Sequence, residues 1–274
     1  MSHSVGDYHM SLRKIVFLAF LVSVSAVVYV TMTASLFSVH YPPGVTALIT
    51  LLSFLFTILH SLDRFGWKRS LLLLGLTFTI SLLFECIGVK TGKIYGPYHY
   101  SDMLGPKFLG LVPLLIPAAW FMMMYPSFLI ASRLSPGGWE GRSRLVLTAA
   151  LGALVMTAWD VVMDPLMSAG GYWIWETKGA YFGVPLQNYL GWWLTTFVTF
   201  LLFLFLGGAS LSQSDTHSSW FDQLAIASYL IVGLSNIIFV MQVGMGGPGL
   251  AGLFAMLPWV LLSWNIRQRA KDSL

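Results

Sequence analysis

Charge is what this chain has least of: 9% of its 274 residues are Asp, Glu, Lys or Arg, and only 11 of them are acidic. A soluble domain carries about 25%. With 57% hydrophobic residues and a mean hydropathy of +0.75, the chain reads as a polytopic membrane protein. Cysteine is nearly missing. Cys86 stands alone, which excludes an intrachain disulfide and any cysteine-rich metal or iron–sulfur site. The histidines form no HxxxH or HxxHH boxes, so di-iron membrane hydroxylases and desaturases are excluded. No GxGxxG follows a strand pattern and no Walker motif exists, which removes the usual nucleotide sites. A Ser/His/Asp set would need a histidine in the core, and His60 and His99 read as isolated. The small net charge of +4 lies mainly in short loops. It reads as a topology signal, and no nucleic-acid partner is expected.

What is present is apolar sequence. Eight runs of spanning or near-spanning length occupy 15–38, 44–61, 70–89, 108–132, 144–164, 186–209, 222–242 and 249–265. The first comes after Arg13 and Lys14 and exceeds the apolar core of a signal peptide, about 7–15 residues, so a retained helix is expected. Counted loop by loop, one side holds 11 Lys and Arg and the other four, namely Lys90, Lys93, Lys107 and Lys178. Eight helices with both termini cytoplasmic satisfy the positive-inside rule. Seven would leave Arg267, Arg269 and Lys271 outside. The expected fold is therefore all-α: a single integral-membrane domain over 1–274, a multi-pass bundle of about eight helices in the cell membrane.

Two connections are long, punctuated by Gly and Pro, and dense in aromatics: 90–107 and 165–185. Long loops in compact proteins tend to serve as lids or binding loops. Each comes after a helix ending in acid, and each enters the next helix through Val-Pro-Leu with a tryptophan seven residues after the proline. The pairs are Val112-Pro113-Leu114 with Trp120, and Val184-Pro185-Leu186 with Trp192. They suggest a parallel repeat of helices 3–4 and 5–6, as in some transporters.

Asp160 and Asp164 lie in the otherwise apolar stretch Leu145–Met167. A carboxylate at membrane depth costs several kcal/mol, so it is rarely there without a function. At i and i+4 the two share a helix face, roughly 6 Å apart along the axis. Two close carboxylates in low dielectric do not both ionise easily, which leaves a protonated acid beside an anionic base. That suits proton delivery to carbon, or Mg²⁺ binding to a diphosphate. The plainer reading has Pro165 ending the helix and Asp164 capping the next segment, but it leaves Asp160 unexplained. Glu85 ends another helix; its plainer reading is an interfacial residue paired with Lys90 or Lys93. The set Tyr95, Tyr98, His99, Tyr100, Tyr172, Trp173, Trp175 and Tyr181 fits an interfacial belt, or a lid whose ring faces stabilise a carbocation. Asn188 either caps helix 6 or orients a carboxylate or water. Met122–Met124 and the pair Trp192–Trp193 read as packing rather than a cofactor box.

The segments ECIGVKTGKIYGPYHYSDMLGPKFLGLVPLLIPAAW and WDVVMDPLMSAGGYWIWETKGAYFGVPLQNYLGWW resemble the CruF-type integral-membrane carotenoid biosynthesis proteins, densest over about residues 84–121 and 159–193. The resemblance implies cofactor-free addition of water to the C1–C2 double bond of an acyclic (ψ) carotenoid end group, giving a tertiary alcohol. The substrate would be γ-carotene-like, lycopene-like or a C50 carotenoid, embedded in the lipid bilayer, with other carotenoid-pathway enzymes as partners. Such hydration needs a strong acid to protonate C2, stabilisation of a tertiary cation at C1, and a base-held water. The expected roles are Asp160 as acid, Asp164 as water-holding base and Glu85 as a supporting or alternate acid. Tyr95, Tyr98, His99, Tyr100, Trp120, Trp159, Trp173, Trp175, Asn188 and Trp192 are expected to bind substrate, with no metal and no cofactor. Two other readings stay open: a proton-coupled transporter or carotenoid-binding scaffold, and a UbiA-type Mg²⁺-dependent polyprenyltransferase.

Overall fold

A computed structural model describes residues 5–135, 141–207 and 220–272, without the side chains of 5–11 and 265–272. The basic residues Arg267, Arg269 and Lys271 used in the charge count lie outside those described side chains. Seven helices make up the described bundle: α1 (Val5–Phe37), α2 (Pro43–Thr91), α3 (Leu115–Leu134), α4 (Gly141–Ala169), α5 (Leu186–Gly207), α6 (Asp222–Gln242) and α7 (Gly246–Asp272). All seven are long and apolar enough to cross a membrane.

The runs expected at 44–61 and 70–89 both fall within α2, whose 49 residues are two helices joined across a kink. Its helical geometry breaks at Gly66, with φ 74° and ψ 166°. A straight helix, rising about 1.5 Å per residue, would put Thr46 and Glu85 about 60 Å apart. Instead, Thr46 bonds the Tyr172 hydroxyl at 3.0 Å, while Glu85 bonds Tyr100, whose strand neighbour is Trp173. Both ends of α2 therefore reach the same end of the bundle, and the helix doubles back at Gly66. That dihedral pair is almost exclusive to glycine, which has no Cβ to clash.

The boundaries of α2 follow ordinary chemistry. Pro43 opens it, where a missing N–H costs nothing. Gly92 closes it at φ 67° in the left-handed conformation common at helix ends. Its N–H bonds the Gly88 carbonyl at 2.7 Å. The run expected at 108–132 starts as a helix only at Leu115. Its first residues form a small antiparallel hairpin of β2 (Lys107–Phe108) and β3 (Val112–Pro113). Pro106, Gly110 and Pro113 interrupt a helix there.

The two long connections meet. β1 (Tyr98–Tyr100) pairs antiparallel with β4 (Trp173–Trp175), matching Tyr98 to Trp175, His99 to Ile174 and Tyr100 to Trp173. Beneath this ribbon, Trp120 and Trp192 stack with ring centres 4.0 Å apart and planes at 21°. The features read as repeated in sequence thus lie against each other.

Candidate active site

The ribbon covers a cavity of about 680 Å³, within the usual range for a small-molecule site. Its walls include Glu85, Asp164, Tyr95, Tyr98, Tyr100, Trp120, Trp159, Trp173, Trp175, Asn188 and Trp192. α1, the first part of α2 and α6 complete the far wall, with Ser35, Thr50, Ser235 and Asn236 among the lining residues.

Glu85 is 3% exposed. Tyr98 and Tyr100 both donate to its Oε2, Tyr100 at 2.9 Å, and Trp120 donates to Oε1 at 3.1 Å. The interfacial pairing with Lys90 or Lys93 gives way to these neutral donors. Strand alternation sends Tyr98 and Tyr100 inward and His99 outward. His99 does not line the cavity; it sits half-exposed, 3.5 Å from Glu176. That corrects its expected place among the substrate-binding residues. Burial, and next the Glu85 carboxylate, push the phenols of Tyr95, Tyr98 and Tyr100 well above the usual tyrosine range. They remain protonated donors.

α4 does not stop at Pro165; it runs on to Ala169. The capping reading of Asp164 falls with that. Proline supplies no N–H to the carbonyl four residues back, and Tyr181 donates its hydroxyl to that carbonyl, Val161 O, at 3.1 Å. Asp164 is 1% exposed and accepts from the indoles of Trp173 and Trp175 on Oδ1, at 2.9 and 3.2 Å. Asn188 Nδ2 donates to Oδ2 of Asp164 at 2.7 Å and to Oδ2 of Asp160 at 2.8 Å. Asn188 therefore clamps both acids instead of capping α5. Asp160, fully buried one turn deeper, is not part of the cavity wall, and among the described residues its Oδ1 has no hydrogen-bond partner.

Some contributors carry weak sequence signals. Thr195 bonds the Tyr95 hydroxyl at 2.8 Å, and Gln187 ties the lid down through the carbonyls of Gly92 and Lys93. Ser235 and Asn236 bring polar atoms to the far wall from the middle of α6. A polar pair inside a spanning run was their available signal. His60 also departs from expectation: it is completely buried, bonded to the Tyr125 hydroxyl at 2.6 Å and the Phe221 carbonyl at 2.9 Å. It belongs to the opposite end of the bundle. There Arg64 reaches Asp222 at 3.1 Å, Arg133 reaches Asp222 at 3.6 Å, and Arg13 reaches Asp63 at 3.2 Å.

Among the described residues, no group of three or more His, Cys, Asp or Glu could hold a metal ion. The acids of the site are instead wrapped by N–H and O–H donors. No solved structure matches the chain. The bisanhydrobacterioruberin hydratase of Haloarcula japonica is 36% identical over 138 residues, 50% of this chain and 45% of the relative. The match thus spans less than half the length of that relative. The family model described as carotenoid biosynthesis protein matches residues 45–258, from the first half of α2 into α7 and across the whole lid. The chain belongs to the carotenoid biosynthesis protein family.

Proposed function

We propose that the protein hydrates a carotenoid, adding water across the terminal C1–C2 double bond of an acyclic end group by carboxylate acid–base chemistry without a cofactor. The name of the relative supports the reaction class. The observation that carries the assignment of roles is the different chemistry of the donors around the two acids on the cavity wall. Indole and the amide NH₂ only donate, so the partners of Asp164 hold it as an anion. A phenol donates or accepts, so the Oε2 of Glu85 keeps its two tyrosine partners whether or not it bears a proton.

Glu85 is accordingly the acid, in place of Asp160, which lies behind the wall. Its proton goes to C2 and the π electrons form the new C–H bond. The cation at C1 is met by the ring faces of Trp120 and Trp192 and by the Asp164 charge. A water whose hydrogen is held by Asp164 adds to C1 and gives that proton to Asp164; solvent exchange returns it to Glu85. Asp160, through the shared Asn188, fixes the orientation of Asp164. The polyene runs from the end group towards the far wall of α1 and α6. The weight of Arg at the opposite end supports cytoplasmic termini and a site on the extracytoplasmic side of the cell membrane.

Expression in a lycopene-accumulating bacterium tests the reading. Mass spectrometry of the pigments is expected to find products heavier by one or two waters. Unchanged pigment from well-inserted protein would overturn it.

A further inference from the structure

We infer that the far wall of the cavity carries a water inlet, between the α1–α2 connection and the end of α6, and that Asn236 binds water inside it; this rests on the hydration reading above. Both α1 and α6 run towards the lid. Arg13 of α1 and Asp222 at the start of α6 belong to the charged opposite end, so Phe37 and Gln242, the last residues of the two helices, stand at the lid end. There Ser38, His40 and Gln242 are exposed and also line the cavity. The cavity therefore reaches the surface where helix ends meet water, past three polar side chains. Covering such groups with hydrocarbon is costly; water covers them at no cost.

Below that mouth, α6 turns one stripe to the cavity. Val232, Asn236, Phe239 and Val243 all line it, at the three- and four-residue spacing of a single helix face, and Asn236 lies within the stripe. The hydroxyls around it are engaged: Thr50 with the Thr46 carbonyl at 2.9 Å, Thr46 with Tyr172 at 3.0 Å, and Ser235 with Thr31 at 2.7 Å. Among the described residues the Asn236 amide has no such partner, yet its atoms are not sealed from solvent. Asn236 comes six residues before the end of α6, Glu85 six before the end of α2 and Asp164 five before the end of α4. At about 1.5 Å per residue, each lies about 7–9 Å below its helix end, so the amide stands level with the two acids. An amide both donates and accepts and holds water in either orientation, whereas a polyene satisfies neither group. The polyene takes the apolar part of the same wall, at Val30, Ala34 and Ile49.

Thiol reactivity tests the inlet without requiring turnover. Cys86→Ala removes the native thiol, and single cysteines are then placed at Gln242, Asn236 and Leu234, the last 38% exposed on the same helix but outside the cavity wall. In lipid nanodiscs both faces meet water, so orientation does not enter. A charged methanethiosulfonate reacts with thiolate, which forms in water and hardly at all in hydrocarbon. Gln242→Cys and Asn236→Cys are expected to react about tenfold faster than Leu234→Cys, or more. Equal rates at 236 and 234 overturn the inlet; if Asn236→Cys does not insert, Gln242→Cys against Leu234→Cys decides. Labelling Gln242→Cys is expected to lower its turnover about tenfold, with the KM for carotenoid unchanged from the unlabelled variant. A raised KM at unchanged turnover would make the mouth the carotenoid's own entrance and overturn the proposal. Wild-type protein that forms no alcohol would instead overturn the hydration reading.

Discussion

The bundle buries carboxylates at both of its ends, and it treats them differently. At one end Asp63 and Asp222 meet guanidinium groups of Arg13, Arg64 and Arg133. At the other, Glu85, Asp160 and Asp164 meet, among the described residues, only the donors of phenols, indoles and one amide. A carboxylate paired with a permanent cation has its charge fixed by that partner, and removing either member leaves an uncompensated buried charge. A carboxyl group held by neutral donors has hydrogen bonds but no fixed charge to balance. It is free to change protonation state during a reaction. On the proposed hydration reading, the class of its partners, and not burial alone, separates a structural acid from a reactive one.

The largest effect expected from breaking this contrast is at Glu85. Glu85→Gln preserves shape and one acceptor but removes the transferable proton, and hydration should fall about a thousandfold, within the range for a lost general acid. Pigment analysis at matched membrane abundance measures it, and retention of a tenth of the activity would refute the acid role. At the opposite end, Asp222→Ala removes the carboxylate shared by Arg64 and Arg133. It should destabilise the fold by about 3–5 kcal/mol, the usual cost of leaving a buried charge without its partner. Thermal denaturation in detergent reads the loss, while turnover per folded molecule should stay near wild type. A smaller effect is expected at Tyr98→Phe, which loses one hydrogen bond to Glu85. Turnover there should drop about tenfold.

Alkaline pH should sharpen the comparison further. The folded state holds the phenolic protons of Tyr98 and Tyr100 more tightly than the unfolded chain does. Their contribution is complete below pH about 10 and is lost as pH climbs from there towards the folded values. The site end should loosen first, seen as faster amide exchange in the lid strands than around Arg64. The least sensitive contact is the exposed clasp between Asp102 and Lys107, which also bonds the Tyr100 carbonyl. The Lys107 hydrogen bond, then its charge, hold Asp102 below the usual aspartate range. The clasp should therefore persist at neutral pH and weaken only in acid, and Asp102→Asn should change turnover less than about twofold at neutral pH.

Much of the site was legible because membrane sequence is so poor in charge. Asp160, Asp164 and Glu85 announced themselves by the cost of carrying a carboxyl group into apolar runs, and the two Val-Pro-Leu entries pointed to Trp120 and Trp192 together. What the sequence hid is long-range. The two runs 44–61 and 70–89 implied a reversal between them, but not that helical turns continue on both sides up to a break at Gly66. The inward turn of Tyr98 and Tyr100 and the outward turn of His99 depend on pairing with β4, a strand that comes only after α3 and α4. Asp63 meets Arg13 of α1, and Asp222 meets Arg64 of α2 and Arg133 of α3, pairings between helices that local spacing does not indicate. The demotion of Asp160 from the wall was likewise invisible, since helical spacing says which face a residue shares, not where the cavity stops.

The donors of each acid also come from the acid's own stretch of chain. Glu85 is served by Tyr98, Tyr100 and Trp120, and Asp164 by Trp173, Trp175 and Asn188. Each of these two acids therefore has its donors within 35 residues of itself along the chain, and the pairing of β1 with β4 joins the two sets.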